Sequence, residues 1–551
     1  MGLPPSPRRR SRLVRSLVVA NIVIGVLVAG AAAWLIARQL DSDGGGDAAA
    51  ADTAGDGGTV AAAGASAGSE STGAGTDASS TSAGGQDGAA TTTGAAPTTT
   101  APPYDGWWDP KAVGVPYGDT VDGLITFRGS PTRTYYGKGP VPRNPQVAWT
   151  FPGGGGGLCA QSSVGGETST WCGTGWTGQP SVWEREDGTW LAFGAYDRNV
   201  HFLDADTGER RKTDFPTGDI IKGSVTIDPD GYPLLYSGSR DSLFRVVAFD
   251  RGPEPVELWS LNAESIPGSR WNNDWDGAAI VIDDYLFEGG ENSIFHIVKL
   301  NRGYDAEGRV TVAPELVFTA PGYDQDLLDT VGNNVSIENS VAISGNTVYF
   351  ANSGGLVQGW DISGLAQGQA PTQVFRFWAG DDIDASLVVD EEGMLYAGVE
   401  YERATERSRQ VGQIIKLDPS RPDDPLVWSV AAMDRLDDGV WGTPALHRDV
   451  VYVPTDTGRL IGIDRVDGTI RWEKALPGPL WQSPVVVDDV LVMGDCSGVL
   501  HGFDVSDTKI EPPEIWAVEL GGCIESTPAV WDGWIYVGTR SGSFFALRDP
   551  V

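Results

Sequence analysis

The sequence predicts an all-β fold: an eight-bladed β-propeller closed by an N-terminal strand in its last blade, preceded by one transmembrane helix and a disordered linker. Three observations predict it. A segment repeats eight times at a mean spacing of about 50 residues. Each copy reads as short alternating strands separated by Asp-Gly, Ser-Gly or Asn-Thr turns. The last copy lacks a tryptophan strand, and one stands ahead of the first copy. Composition agrees: of 551 residues, 40% are hydrophobic and 9% aromatic, which excludes wholesale disorder. Length alone would divide the chain into three or four ordinary domains, so the repeat decides the architecture.

Residues 1–16 are a basic segment. Arg8, Arg9, Arg10, Arg12 and Arg15 precede an apolar run from Leu17 to Ala37, broken only by Asn21. At 1.5 Å per residue that run spans the roughly 30 Å hydrocarbon core of a bilayer. The excess of Arg before it, with only Arg38 just after it, predicts a single-pass anchor with a cytoplasmic N-terminus and everything else outside the cell membrane. The alternative is a cleaved signal peptide, since Ala31-Ala32-Ala33 is rich in small residues, although such apolar regions are usually shorter. Residues 38–103 are an Ala/Gly/Ser/Thr linker with no Lys and no Arg beyond Arg38, and Val60 as the one larger apolar residue from Asp41 onward. Such a tract cannot bury enough surface to offset its ordering entropy. As a coil it reaches roughly 40–50 Å and would tether a domain clear of the membrane.

Residues 104–551 form the predicted propeller, with repeats from 146. The repeat is plainest near the C-terminus, where "TPALHRDVVYVPTDTGRLIGID", "SPVVVDDVLVMGDCSGVLHGFD" and "TPAVWDGWIYVGTRSGSFFAL" follow one another. Aligned on a small or proline residue, the copies are anchored at Pro180, Ser224, Ala279, Ser340, Ser386, Pro444, Pro484 and Pro528. Four short strands in each unit of that length match a propeller blade. The displaced strand "QVAWTFP" at Gln146–Pro152 would complete the last blade beside Phe544–Leu547 and remove the exposed edges of a linear array.

Inner strands of a propeller line a central channel, so equivalent positions form rings. Two residues before the anchors stand Gly178, Lys222, Gly277, Glu338, Asp384, Gly442, Gln482 and Ser526. Three before stand Thr177, Ile221, Asp276, Ile337, Ile383, Trp441, Trp481 and Glu525. Period-2 alternation assigns the polar set to the channel and the bulkier set to the packing between blades. Lys222, Glu338, Asp384 and Gln482 are therefore expected to converge on a polar ligand or cation, with Asp276 and Glu525 at the rim. The structural alternative is a network in which Lys222 neutralises Glu338 and Asp384, because buried charges require partners. The segment "WNNDWDG" at Trp271–Gly277 is either a ligand-gripping loop or a plain turn.

Four cysteines fall into two pairs, Cys159/Cys172 and Cys496/Cys523. Outside the cytoplasm disulfides are expected, and three connectivities exist. Cys496 follows the second strand of one blade and Cys523 precedes the first strand of the next, which favours 159–172 with 496–523. Zinc is disfavoured by the absence of C-x-x-C spacing and of a nearby histidine pair. His201, His296 and His501 recur at about the same place in their repeats and read as packing residues, and His447 stands in a turn. Asn334-Val-Ser matches a glycosylation sequon. No nucleophile elbow, P-loop, dinucleotide fingerprint or H-E-x-x-H occurs. The 39 basic and 74 acidic residues give a net charge of −35, which opposes nucleic-acid binding.

"VHFLDADTGERR" at Val200–Arg211 and "LIGIDRVDGTIRWEKAL" at Leu460–Leu476 resemble the Asp-x-x-x-Gly-x-x-x-Trp repeat of the PQQ-binding-like, or quinoprotein alcohol dehydrogenase-like, propeller family. The resemblance covers roughly residues 146–551. It implies that the repeat Trp and Gly join neighbouring blades. The family holds both quinoprotein dehydrogenases and the BamB-type scaffold of outer-membrane assembly, so it implies a fold rather than a single activity. The dehydrogenase branch would imply PQQ and Ca²⁺, with Glu338, Asn339 and Asp384 superficially similar to its metal set and Asp384 as base. That branch clamps its quinone with a disulfide between adjacent cysteines, which this chain lacks. The favoured expectation is a non-enzymatic, cofactor-free binding or scaffold domain whose partner is an envelope protein or glycan. The alternatives are a PQQ- and calcium-dependent dehydrogenase and an envelope sensor of ligands or cations.

Overall fold

The computed structural model describes residues 104–550 apart from 165, 176, 177, 434 and 437. The basic segment 1–16, the expected anchor 17–37 and the linker 38–103 lie outside the described residues. Among those described, no helix is long and apolar enough to cross a membrane.

Continuous apolar runs such as Val450-Val-Tyr-Val-Pro454 bury both strand faces and set a meander of short antiparallel strands. Eight sheets of four or five strands result. Their inner strands are Ser181–Arg185, Thr226–Ile227, Ile280–Ile282, Ala342–Ser344, Val388–Val389, Ala445–His447, Val485–Val487 and Ala529–Trp531, which number blades 1 to 8. In each, the second strand pairs outward from the first and the third from the second. Gln146–Phe151 is the outermost strand of blade 8, antiparallel to Ser543–Arg548, with Trp149 opposite Ala546 and Phe151 opposite Phe544. The two ends of the repeat region therefore share one sheet, and the ring has eight blades.

The repeat glycines explain how blades join. Gly468 of blade 6 adopts φ 77°, and a Cβ there would stand 2.9 Å from the Trp428 ring of blade 5. Trp428 Nε1 donates to Arg465 O at 3.2 Å across the same junction. Blades 8 and 1 repeat the arrangement with Trp149, Gly208 and Ala205 O. Hydroxyls stitch the inner strands as well. Ser340 Oγ accepts from Ala278 N, Ser386 Oγ from Ser340 N, Thr443 Oγ1 from Ser386 N and Ser483 Oγ from Thr443 N, each at 2.9 Å.

The channel is filled by the chain itself. Residues ahead of the repeats run through its middle and one end: Gly123–Leu124 pairs with blade 1 and Gly137–Lys138 with blade 8. Between them Ile125, Pro131 and Thr132 carbonyls accept from Ile227, Ile343 and Val389 of blades 2, 4 and 5. Arg128 and Arg133 are fully buried on this segment. Arg133 donates to Val341 O at 2.8 Å, Ala278 O at 2.7 Å and Phe127 O at 2.8 Å, and Arg128 to Thr443 O at 2.8 Å. Backbone carbonyls thus replace most of the water these guanidiniums lose, Arg128 Nη2 being left without a hydrogen-bond partner among the described residues. The central channel expected from the repeat is therefore occupied along this stretch by the chain's own residues.

Candidate functional site

At the end of the channel away from that plug, the loops that lead into the inner strands meet the turns that follow the second strands. Strand register fixes which residues are equivalent there. Thr226, Ile280, Ala342, Val388, Ala445, Val485 and Ala529 each pair with the residue at one level of the second strand. Four residues upstream stand Lys222, Asp276, Glu338, Asp384, Trp441, Trp481 and Glu525. Four residues downstream of the paired second-strand positions stand Arg240, Glu291, Ser353, Glu400, Asp456, Cys496 and Arg540. These two tiers build the mouth.

Lys222 is its centre on blades 2 and 3. Its Nζ lies 2.5 Å from Asp276 Oδ2, 2.6 Å from Glu291 Oε1 and 3.3 Å from Asp274 Oδ2. Burial opposes its charge, but the three carboxylates outweigh burial and hold the ammonium protonated well above its usual range. Arg240 Nε adds a 2.6 Å bond to Asp274, and Asn272 Nδ2 one of 2.7 Å to Glu291. The Trp271–Gly277 segment therefore serves an internal ion cluster.

Glu338 and Asp384 meet across Ser353, whose Oγ is 3.2 Å from Glu338 Oε1 and 3.2 Å from Asp384 Oδ1. Ser336 Oγ donates to Glu338 at 2.6 Å, and Trp441 Nε1 to Asp384 Oδ2 at 3.2 Å. Burial and neighbouring carboxylates push both acids well up. Asp382, 3.4 Å from Arg403, is raised to about 8, chiefly by burial, and Asp456 to about 7 for the same reason. Beside them Glu400, Glu402, Asp456, Trp441, Trp481, Arg435 and Pro479 line an open cavity of about 280 Å³, with the two indoles edge to face at 5.3 Å. Glu525 lies on the far side, paired with Arg540 at 3.1 Å. Trp171, on the hairpin Cys159–Val164 and Glu167–Cys172, sits between Arg240 and Arg540 at 5.0 and 5.2 Å.

Five of the six expected channel residues, Lys222, Asp276, Glu338, Asp384 and Glu525, thus stand at one mouth. Asp276 is an interior partner of Lys222 rather than a rim group, and Lys222 neutralises the blade 3 carboxylates rather than Glu338 and Asp384. Gln482 stands apart: its amide accepts from Gly494 N at 2.5 Å and donates to Ser526 O at 2.7 Å. Asn339 is its equivalent on blade 4, bonded to Ala351 N and O and to Ile383 O. The cause is a one-residue slip. In blades 1, 3, 6, 7 and 8 the small anchor lies one position late, and with period 2 such a slip exchanges the two faces. The disulfides pair as 159–172 and 496–523, the connectivity the strand positions favoured. His201, His296 and His501 occupy one register on the third strands.

The comparisons agree with this geometry. Residues 410–548 match the family described as outer membrane protein assembly factor BamB. The chain has the fold of the PQQ-like β-propellers. Quinohemoprotein alcohol dehydrogenase ADHIIG from Pseudomonas putida HK5 is similar in structure at 10% identity, with TM-score 0.52 over 80% of each chain. The quinohemoprotein alcohol dehydrogenase from Comamonas testosteroni has 13% identity and TM-score 0.50, over 77% of this chain and 80% of that one. BamB from Moraxella catarrhalis has 17% identity and TM-score 0.45, over 67% of this chain and 93% of that one. At such identities the likeness is one of fold. No curated protein sequence matches the chain.

The residues of this PQQ-like propeller do not fit a quinone cofactor. PQQ carries three carboxylates, and the mouth presents Glu338, Asp382, Asp384, Glu400, Glu402 and Asp456, while its Lys222 and Arg240 are already held by acids. Asn339 turns away from Glu338 and Asp384 into backbone bonds, which dissolves the expected calcium set. The Cys159–Cys172 bridge joins two strands of a hairpin, not adjacent residues.

Proposed function

We propose that this chain is a membrane-anchored, extracytoplasmic binding propeller that offers its acidic mouth to a basic partner in the cell envelope, without catalysis of its own. The observation that carries the reading is asymmetry. One end of the channel is closed by the chain's own residues 107–138, and the other opens on a cavity walled by Glu400, Glu402, Asp456, Trp441 and Trp481. Carboxylates beside indole faces attract a lysine, an arginine or an amino sugar through charge and cation–π contact. The family match over residues 410–548 supports an assembly-factor-like scaffold over an enzyme. The N-terminal apolar run and linker supply the tether.

Photo-crosslinking from the full-length protein in its native envelope tests this. A crosslinker at exposed Glu402 should capture one envelope component, and one at exposed Val115 on the plug should not. Asp456→Lys should abolish the Glu402 product. No product from Glu402, or equal products from both positions, contradicts the reading.

A further inference from the structure

The mouth holds two carboxylate triads of the same construction. Asp274, Asp276 and Glu291 on blade 3 bring carboxylate oxygens within 4.8 Å of one another, and so do Asp382, Asp384 and Glu400 on blade 5. In both, an Asp-x-Asp leads into the inner strand, and the Glu stands two residues past the glycine that ends the second strand, Gly289 or Gly398. Asp276 and Asp384 share one register, as do Glu291 and Glu400. The triads differ in what lies inside them. The first encloses the Lys222 ammonium. The second is approached by Arg403, which reaches Asp382 at 3.4 Å from outside.

Glu400 points to what the second triad holds. It is 9% exposed, and among the described residues its Oε1 has no hydrogen-bond partner. The charged groups that act on it are Asp384, Asp382, Asp456 and Glu402, all acidic. A buried carboxylate without a donor or counter-charge costs several kcal/mol unless a cation or a proton compensates it.

We propose that Asp382, Asp384 and Glu400 bind a divalent cation, calcium by preference, which does on blade 5 what Lys222 does on blade 3. Calcium takes oxygen ligands at about 2.3–2.6 Å in loose geometry, so two ligands on opposite sides of the ion stand roughly 5 Å apart, as the triad spacing allows. Magnesium requires about 2.0–2.1 Å and near-octahedral order, which three carboxylates from two separate backbone segments satisfy less well. The site shares only Asp384 with the Glu338, Asn339, Asp384 set and needs no quinone. It stands independently of the envelope partner. Trp441, bonded to Asp384, places an indole next to the ion.

Terbium tests the site, because an ion beside Trp441 is excited through the indole. Purified full-length protein should show saturable sensitised terbium emission that excess calcium displaces. Glu400→Gln and Asp382→Asn should each weaken terbium binding at least tenfold. Trp441→Phe should dim the emission and leave calcium displacement at the same concentration. Calcium alone should raise the wild-type Tm by a few degrees, roughly the linkage expected for an ion that binds only the folded state. That measurement needs no variant to fold. Absence of saturable emission together with an unmoved Tm overturns the proposal. So does emission that survives both triad substitutions, which places the ion elsewhere.

Discussion

Lys222 and Asp276 stand at one register in neighbouring blades, with Nζ 2.5 Å from Oδ2, and both side chains are almost wholly buried. Removing a buried charge while its partners remain leaves them uncompensated, which typically costs about 3–5 kcal/mol. Lys222→Met should therefore lower stability at pH 7 by about that amount, as measured by chemical denaturation. The loss should shrink in Lys222→Met/Asp276→Asn, where one carboxylate has been neutralised. Equal losses in the single and double variants would show that the pair is not coupled.

Gly468 tests the blade junction. Its φ of 77° is unfavourable for any residue with a side chain, and a Cβ would press on Trp428. Gly468→Val should cost about 2 kcal/mol or more, and Trp428→Ala about 3–5 kcal/mol through the cavity it leaves. Both changes strike one contact, so their combination should cost less than the sum of the two. Additive losses would show that the two residues act separately.

His201 gives stability a pH dependence. Burial disfavours its imidazolium, but Asp197 at 3.1 Å and Asp214 at 2.9 Å outweigh burial and raise its pKa. His501 is raised in the same way by Asp495 and Glu514. Folding therefore favours the protonated forms. Their stabilisation is complete below the unfolded value of about 6.5 and disappears as pH climbs through the higher folded values. In His201→Phe that part of the decline should vanish, as read from Tm between pH 6 and 9. His296, pushed down to about 3 by burial, should add no such slope. An identical profile in wild type and His201→Phe contradicts this assignment.

The blades were legible in the sequence because each carries its own alternation, its own turn and its own Trp strand, so eight independent copies reinforce one pattern. The closure by Gln146–Phe151 was legible because an absent strand and a surplus one match. Residue facing was less legible. Ser224, Ser340 and Ser386 stand at the correct level, whereas the prolines at 180, 444, 484 and 528 and Ala279 lie one residue beyond it, and alternation turns that small error into an exchange of faces. Trp441 and Trp481 thereby read as packing and Gln482 as a ligand. Glu291 and Glu400 follow second strands, which the ring pattern of the inner strands does not reach. The channel plug was missed because Phe127, Arg128, Arg133 and Tyr136 belong to no repeat. Their aromatic and guanidinium groups ahead of the first blade were the available signal.

The electrostatic account is that one triad carries its own cation and the other takes one from solution. Equilibrium dialysis of metal-depleted full-length protein against calcium tests it most directly. One calcium per wild-type chain, lost in Glu400→Gln and increased to two in Lys222→Met, is the predicted result. No bound calcium in the wild type at millimolar concentration would contradict it.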